Sequence, residues 1–356
     1  MTSLSGLPVV WSADCLRHEP AGEVWLGIWE AGTEVPERAN VLLASLTQAG
    51  ASVRDAMAHD TSALLAVHDP ELVEHLATIW EQWEAGGYER DYGRSRVVPY
   101  VFPTPGLLGD LPMRSPAATH GRAGRFCYDT MTLVGPGSWE AIKGAADAAL
   151  TAAALVAAGA PITYALCRPP GHHAYRDLAG GFCFLNNSAI AAAHLRLKHE
   201  RVAILDVDVH HGNGTQGIFY ERPDVLTVSI HADPAFYYPY VWGYAHERGA
   251  GAGLGANFNI PLPLKTGDDG YLQALDVAAK RIKAFAPGAL VVALGLDASE
   301  HDPLAGLAVT TPGFKRIGVA LARIGLPTVL VQEGGYLSDI LGQNLTAVLA
   351  GFEEAR

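Results

Sequence analysis

The stretch VAILDVDVHHGNGT occupies residues 202–215. Its first part, 202–209, is rich in Val, Ile and Leu and reads as a strand buried on both faces of a parallel sheet. Side chains two apart on a strand share a face, so Asp206, Asp208 and His210 point the same way as the chain leaves the sheet. Two carboxylates so close in a buried setting repel unless a cation neutralises them. A bound metal answers that requirement. The plainer alternative is a capped strand end whose carboxylates are solvated.

Outward from this stretch the pattern repeats. Apolar runs at 162–167, 225–230, 290–296 and 328–332 also read as buried strands. Helical patterns lie between them: Asp69-Pro70 opens 70–84, Ser138 caps 139–158, and Asn187 starts 188–198. Asp268 or Asp269 starts 270–285, and Thr311-Pro312 opens a helix through 324. Alternating strands and helices imply an α/β protein with a parallel sheet covered on both faces. No repeat or composition shift marks a linker, so residues 1–356 read as one domain. The irregular stretch is 88–138, rich in Pro and Gly; a loop that long inside a compact domain is functional or disordered.

Composition bounds the function. With 49% hydrophobic and 17% charged residues, the 356-residue chain can bury a large core. A net charge of −12 argues against nucleic acid as a partner. It suits a cationic small substrate, or serves solubility alone. Cys15, Cys127, Cys167 and Cys183 are far apart and form no CxxC pair, so they read as buried small hydrophobes. The N-terminal MTSLSGLPVVWSADC lacks the basic and apolar parts of a secretory signal. The Ala-rich run 145–160 is too short to span a bilayer. A reduced cytoplasmic enzyme with no membrane association is expected.

In open α/β sheets, ligands bind beyond the carboxyl ends of the strands. Each expected strand here runs into polar residues: Arg168 to His173, Asp206 to Thr215, Ser229 to His231, Asp297, and Glu333 to Tyr336. Asp208 and His210 joined by Asp297 would give three protein ligands and a position for water, as in a catalytic metal site. An Asp-His-Asp set suits zinc or ferrous iron. The His172-His173 pair follows a rigid Pro-Pro-Gly turn that could aim both rings into one cleft; it could equally be a surface turn. A neutral histidine can take a proton from a metal-activated water and return it to a leaving amine. Asp206 could hold one ring and Asn213 the other, leaving His172 the more cationic.

The motifs RPPGHHA (168–174), GGFCFLNN (180–187), ILDVDVHHGNGTQ (204–216), VSIH (228–231), LGLD (294–297) and EGGY (333–336) together resemble the arginase–deacetylase superfamily. Within it the chain is similar to zinc-dependent histone deacetylases and bacterial acetylpolyamine amidohydrolases. The likeness runs from near residue 12 to near 350, and the stretch 97–140, ending in GRAGRFCYDTMTLVGPGSWE, is most similar to the acetylpolyamine enzymes. It implies a single-domain open parallel sheet of about eight strands, of arginase–deacetylase type. It implies zinc on Asp208, His210 and Asp297, with His172 and His173 as the tandem histidines and His173 as general base. Tyr336 would donate to the oxyanion. Phe182 and Tyr238 would wall an acyl tunnel, with Gly180 and Gly181 beside its floor. Asp206, Asp208, His210, Ser229 and Ile230 would surround a structural potassium, and the carbonyls of Phe219, Arg222 and Val225 a second.

The resemblance implies removal of acetyl groups from small N-acetylated amines, with acetyl-lysine in a peptide or protein as the alternative. Acetylpolyamine enzymes use acidic residues to hold a distal ammonium. Glu23 could serve here, but the loop positions expected to be acidic are His120 and Met131, with Asp129 offset. The aromatic and Arg-rich stretch 237–248 is either a substrate rim or packing. In similar bacterial enzymes the long loop packs against a partner, so a homodimer through 88–138 is expected. A binuclear manganese ureohydrolase would need an acid where Ser299 stands and a DxHxD strand in place of DVDVH. An intact Tyr336 and both histidines argue against a non-catalytic relic.

Overall fold

The computed structural model describes residues 4–356; the first three, part of the stretch read for a signal, lie outside it. Its strands are β1 (Pro8–Trp11), β2 (Glu23–Trp25), β3 (Ile28–Glu30), β4 (Ser52–Asp55), β5 (Ile162–Leu166), β6 (Val202–Asp206), β7 (Val225–Ala232), β8 (Asn257–Leu262), β9 (Ala289–Leu294) and β10 (Thr328–Gln332). Eight of them form one sheet in the order β4-β1-β5-β10-β9-β6-β7-β8. Every pairing in it is parallel. The five central strands β5, β10, β9, β6 and β7 are buried along their whole length. This explains why their sequences lack the apolar/polar alternation of a half-exposed strand. β2 and β3 form a separate antiparallel hairpin.

Helices Ser138–Ala157 and Asn187–Arg196 pack on each other and on the central strands. Asp268–Phe285, Thr311–Ala322, Leu341–Ala355 and Glu37–Gln48 form a second connected group. Four expected helix starts are corrected: Asp268 and Thr311 lie inside helices capped by Gly267 and Thr310, and two others concern Ser138 and Asn187. Ser138 lies inside its helix; its hydroxyl accepts from Gly135 N (2.8 Å) and sits 2.9 Å from His18 Nδ1. The helix expected to start at Asn187 is capped by Asn186, whose side chain accepts from Ala189 N (2.9 Å). Asn187 instead reaches Pro169 O (3.1 Å), which braces the turn before the two histidines.

β6 ends at Asp206, three residues before the expected end at 209. Polar side chains take over the backbone bonding: Asp208 N donates to Asp206 Oδ1 (3.1 Å) and His210 N to Asp208 Oδ1 (2.9 Å). Such local side-chain bonds compete with a ladder and end it. The stretch 88–138 is not one irregular loop. It contains the short helices Tyr88–Tyr92, Pro105–Leu108 and Thr119–Ala123, and is tied down by the Val97–Val134 bridge and by Arg96 Nε to Glu19 O (2.8 Å). All four cysteines are buried and unpaired. No helix among the described residues is long and apolar enough to cross a membrane.

Candidate active site

Strand order decides what meets at the carboxyl edge. β5, β10, β9 and β6 are consecutive neighbours. The residues that follow them are His172 and His173, Tyr336, Asp297, and Asp208 with His210. Asp208 Oδ1 lies 3.0 Å and Asp297 Oδ2 3.3 Å from His210 Nδ1. Each of the three offers a ligand atom within 4.8 Å of the other two, and all three are buried. Asp208 is further held by Gly334 N (2.8 Å) and Asp297 Oδ1 by Val209 N (2.9 Å). Asp297 Oδ2 is buried and accepts no hydrogen bond.

The electrostatics ask for a cation. Burial and the neighbouring Asp208 push the Asp297 carboxyl up to about 6. Burial pulls His210 down, but Asp208 and Asp297 outweigh it and hold the imidazole at about 9. In the metal-free cluster a proton therefore takes the place a divalent ion would fill. Two carboxylates, one imidazole and an unsatisfied buried oxygen fit such an ion.

The tandem histidines differ in their partners. His172 Nδ1 lies 2.9 Å from Asp206 Oδ2, and its Nε2 is 3.8 Å from Asp208 Oδ1. Burial disfavours its charge, yet Asp206 and Asp208 raise it to about 10. His173 Nδ1 lies 2.6 Å from Asn213 Oδ1. Asn213 Nδ2 is committed to Tyr128 and Tyr175, each at 3.2 Å, so its oxygen faces the ring. A carbonyl oxygen only accepts; His173 Nδ1 therefore carries the proton and Nε2 keeps a lone pair. Burial, with His172 and His210 nearby, pushes His173 well below the usual range, which keeps it neutral.

His173, His210 and Tyr336 open into one cavity of about 400 Å³. Phe182, Tyr238, Gly181 and Glu23 also line it. Gly181 has φ +58, and a Cβ there would meet the His173 ring at 2.3 Å, so both backbone and space call for glycine. Three residues expected on the substrate wall lie elsewhere. Gly180 packs under Tyr128, where a Cβ would come within 2.2 Å of the ring. Asp129 is spent on structure: Oδ1 accepts from Met131 N and Thr132 N (3.0 Å each), Oδ2 from Gly181 N (2.6 Å) and Tyr238 OH (3.3 Å). His120, in the helix Thr119–Ala123, pairs with Tyr88 OH (2.7 Å) and lines a separate aromatic cleft. Within 237–248 the aromatic residues divide: Tyr237, Tyr238 and Tyr240 line the cavity, while Trp242 packs near Tyr220.

The Tyr336 loop is held by residues that sequence patterning did not single out for the site. Arg38 donates to Gly335 O (2.5 Å) and Glu333 O (2.8 Å), and its guanidinium lies 4.9 Å from the Tyr336 ring centre. Glu34 Oε1 accepts from Arg38 Nη1 (2.7 Å) and Arg168 Nε (2.8 Å). Glu333 receives Gly171 N (2.6 Å), His172 N (3.0 Å) and Ser188 Oγ (2.7 Å), joining the histidine loop to the Tyr336 loop. Charged side chains 2% exposed or less, as Arg38, Arg168 and Glu34 are, require partners; a Glu and Arg four apart, Glu34 and Arg38, was the available sequence signal. Glu34→Gln is expected to cost about 3–5 kcal/mol of stability, because it strands two buried guanidiniums. Urea unfolding measures this, and a loss under about 1 kcal/mol, the worth of a surface pair, would contradict it.

An open parallel sheet with buried side chains that could hold a metal ion at its carboxyl edge defines an α/β protein of arginase–deacetylase type. The histone deacetylase domain model matches residues 32–352, and the chain belongs to that family. It is 44% identical over 348 residues to acetylpolyamine amidohydrolase 1 of Pseudomonas aeruginosa, covering 97% of this chain and 99% of that one. It is 43% identical over 342 residues to the acetylpolyamine amidohydrolase of Burkholderia pseudomallei, covering 95% and 96%. The crystal structure of an acetylpolyamine aminohydrolase from Burkholderia pseudomallei superposes with a TM-score of 0.93 at 41% identity, over 99% of this chain and 100% of that one.

Proposed function

We propose that this protein is a metal-dependent amide hydrolase that removes acetyl groups from small acetylated polyamines. The observation that carries this reading is one cavity lined both by the proton-transfer and oxyanion groups and by an acidic residue: His173, His210 and Tyr336 line it, and so does Glu23. Near-full-length similarity to acetylpolyamine amidohydrolases supports the same substrate class.

Asp208, His210 and Asp297 would hold the ion, with zinc the proposed metal; when bound it polarises an amide carbonyl and acidifies a water. His173, neutral and with Nε2 free, takes the proton from the attacking water. Asn213 fixes that tautomer, and Asp206 keeps the adjacent His172 oriented through its contact with Nδ1. Tyr336 is held protonated by burial and donates its hydroxyl to the tetrahedral oxyanion. The C–N bond breaks, His173 returns its proton to the departing amine, and acetate and the amine leave. Phe182 and Tyr238 line the same cavity and would flank the acyl group, limiting water at the reacting carbonyl.

A structural potassium beside Asp206 belongs to the same reading. Asp206 and Ser229 stand opposite each other on β6 and β7 and share a small cavity; Ile230 is buried beside them. We also propose a cytoplasmic homodimer that uses the 88–138 segment, where Tyr92, Leu107 and Leu111 are exposed. The substrate assignment is tested by kcat/KM for N-acetylputrescine against an acetyl-lysine peptide. The amine is expected to lead by tenfold or more, the scale of a desolvated charge contact. A preference for the peptide would instead make the protein an acetyl-lysine deacetylase.

A further inference from the structure

The cavity wall farthest in sequence from the metal cluster is built by the β2–β3 hairpin. Glu23 stands directly opposite Glu30 in that pairing, so both side chains leave the same face. Both line the cavity, as does Thr33 just beyond β3. Glu23 is only 9% exposed, and its Oε2 is buried with no hydrogen bond. Thr33 Oγ1 is buried and unpartnered as well. Glu30 has no hydrogen-bond or ion-pair partner among the described residues. The cavity lining includes no Lys or Arg among the described residues. A buried carboxylate oxygen without a donor is costly, so this wall is arranged for a cation that arrives with the ligand. Trp25 and Tyr240 line the same cavity, and aromatic rings beside a cation stabilise it.

We propose that Glu23 and Glu30 form a two-carboxylate site for the free end of the substrate, selecting N-acetylated triamines, with two ammonium centres, over N-acetylated diamines, with one. The inference rests on the polyamine reading above and sharpens it. A single ammonium neutralises one carboxylate and leaves the other facing it. Two ammonium centres neutralise both. Opposed Cβ atoms in such a pair stand roughly 4.5–5.5 Å apart, comparable with the span of a three- or four-methylene linker. Burial, together with Glu30 and Asp129, pushes the Glu23 carboxyl up to about 7, so in the free protein it is only partly ionised at neutral pH. Asp129 cannot share the task, because both its oxygens are already occupied. Buried Glu23 supplies most of the affinity for a cation, and exposed Glu30 supplies the discrimination.

The test compares kcat/KM of the metal-loaded enzyme for mono-N-acetylspermidine, N-acetylputrescine and uncharged N-butylacetamide, in wild type, Glu30→Gln and Glu23→Gln. Wild type is expected to favour the triamine over the diamine. Glu30→Gln is expected to lower the triamine-to-diamine ratio roughly 2- to 5-fold, as for an exposed ion pair, with the change in KM. Glu23→Gln is expected to lower kcat/KM for both charged substrates about tenfold or more relative to N-butylacetamide. A wild-type ratio near one, or a ratio untouched by Glu30→Gln, overturns this inference while leaving the polyamine reading in place. N-butylacetamide cleaved as well as either charged substrate would overturn that reading too.

Discussion

Tyr336→Phe is expected to lower kcat about 100- to 1000-fold while leaving the fold and the bound metal unchanged. The magnitude is that of removing one oxyanion donor from a preorganised site. The selectivity of the effect follows from how the residue is held. Its backbone N–H donates to Asp302 Oδ2 (2.9 Å), its ring lies under Arg38, and Phe182 meets it edge-on at 6.0 Å. None of these contacts needs the phenol oxygen, so phenylalanine occupies the same place. Burial raises the phenol well above its usual range, so at neutral pH the group is a donor. Turnover of N-acetylputrescine, metal content by elemental analysis and a thermal melt together test the assignment. A kcat within a few-fold of wild type removes Tyr336 from the mechanism.

The second large effect is expected at the metal cluster. Asp297→Ala should yield folded protein that retains little metal after dialysis. Losing an outer-shell partner already costs about 10- to 100-fold in affinity, and a direct ligand should cost at least that much. The metal-free fold should tolerate the change. Val209 N loses its acceptor, at about 1–3 kcal/mol. Against this, two mutually repelling buried carboxylates are reduced to one. Asp297→Asn separates the two effects, because the amide oxygen can still accept from Val209 N while the charge is gone. One equivalent of metal in dialysed Asp297→Ala would show that Asp297 is not a ligand.

Much of the fold was legible because buried parallel strands announce themselves locally. The runs at 162–167, 202–209, 225–230, 290–296 and 328–332 all contain strands of the central sheet. β1, β4 and β8 carry weaker signals. β4 is exposed throughout, and β8 mixes Asn and Pro with its apolar residues. Helix caps were the least readable: either of two adjacent residues can cap, and the choice rests on distant groups such as His18 for Ser138 and Pro169 for Asn187. Among the site residues, those at strand ends could be named from sequence, since a polar residue there interrupts an apolar run. Glu30 and Thr33 could not, because each lies in an unremarkable stretch and acquires its neighbours only on folding; Arg38 offered only its spacing of four from Glu34.

The alternation of strands and helices and the donor types at each strand end follow from near neighbours along the chain and are readable there. That β5, β10, β9 and β6 lie side by side, bringing His172, His173, Tyr336, Asp297, Asp208 and His210 to one edge, emerges on folding. Folding also puts the Glu23–Glu30 hairpin at their cavity and His120 elsewhere. Strand order and loop docking are set by long-range burial, which leaves no periodic trace in the chain it organises.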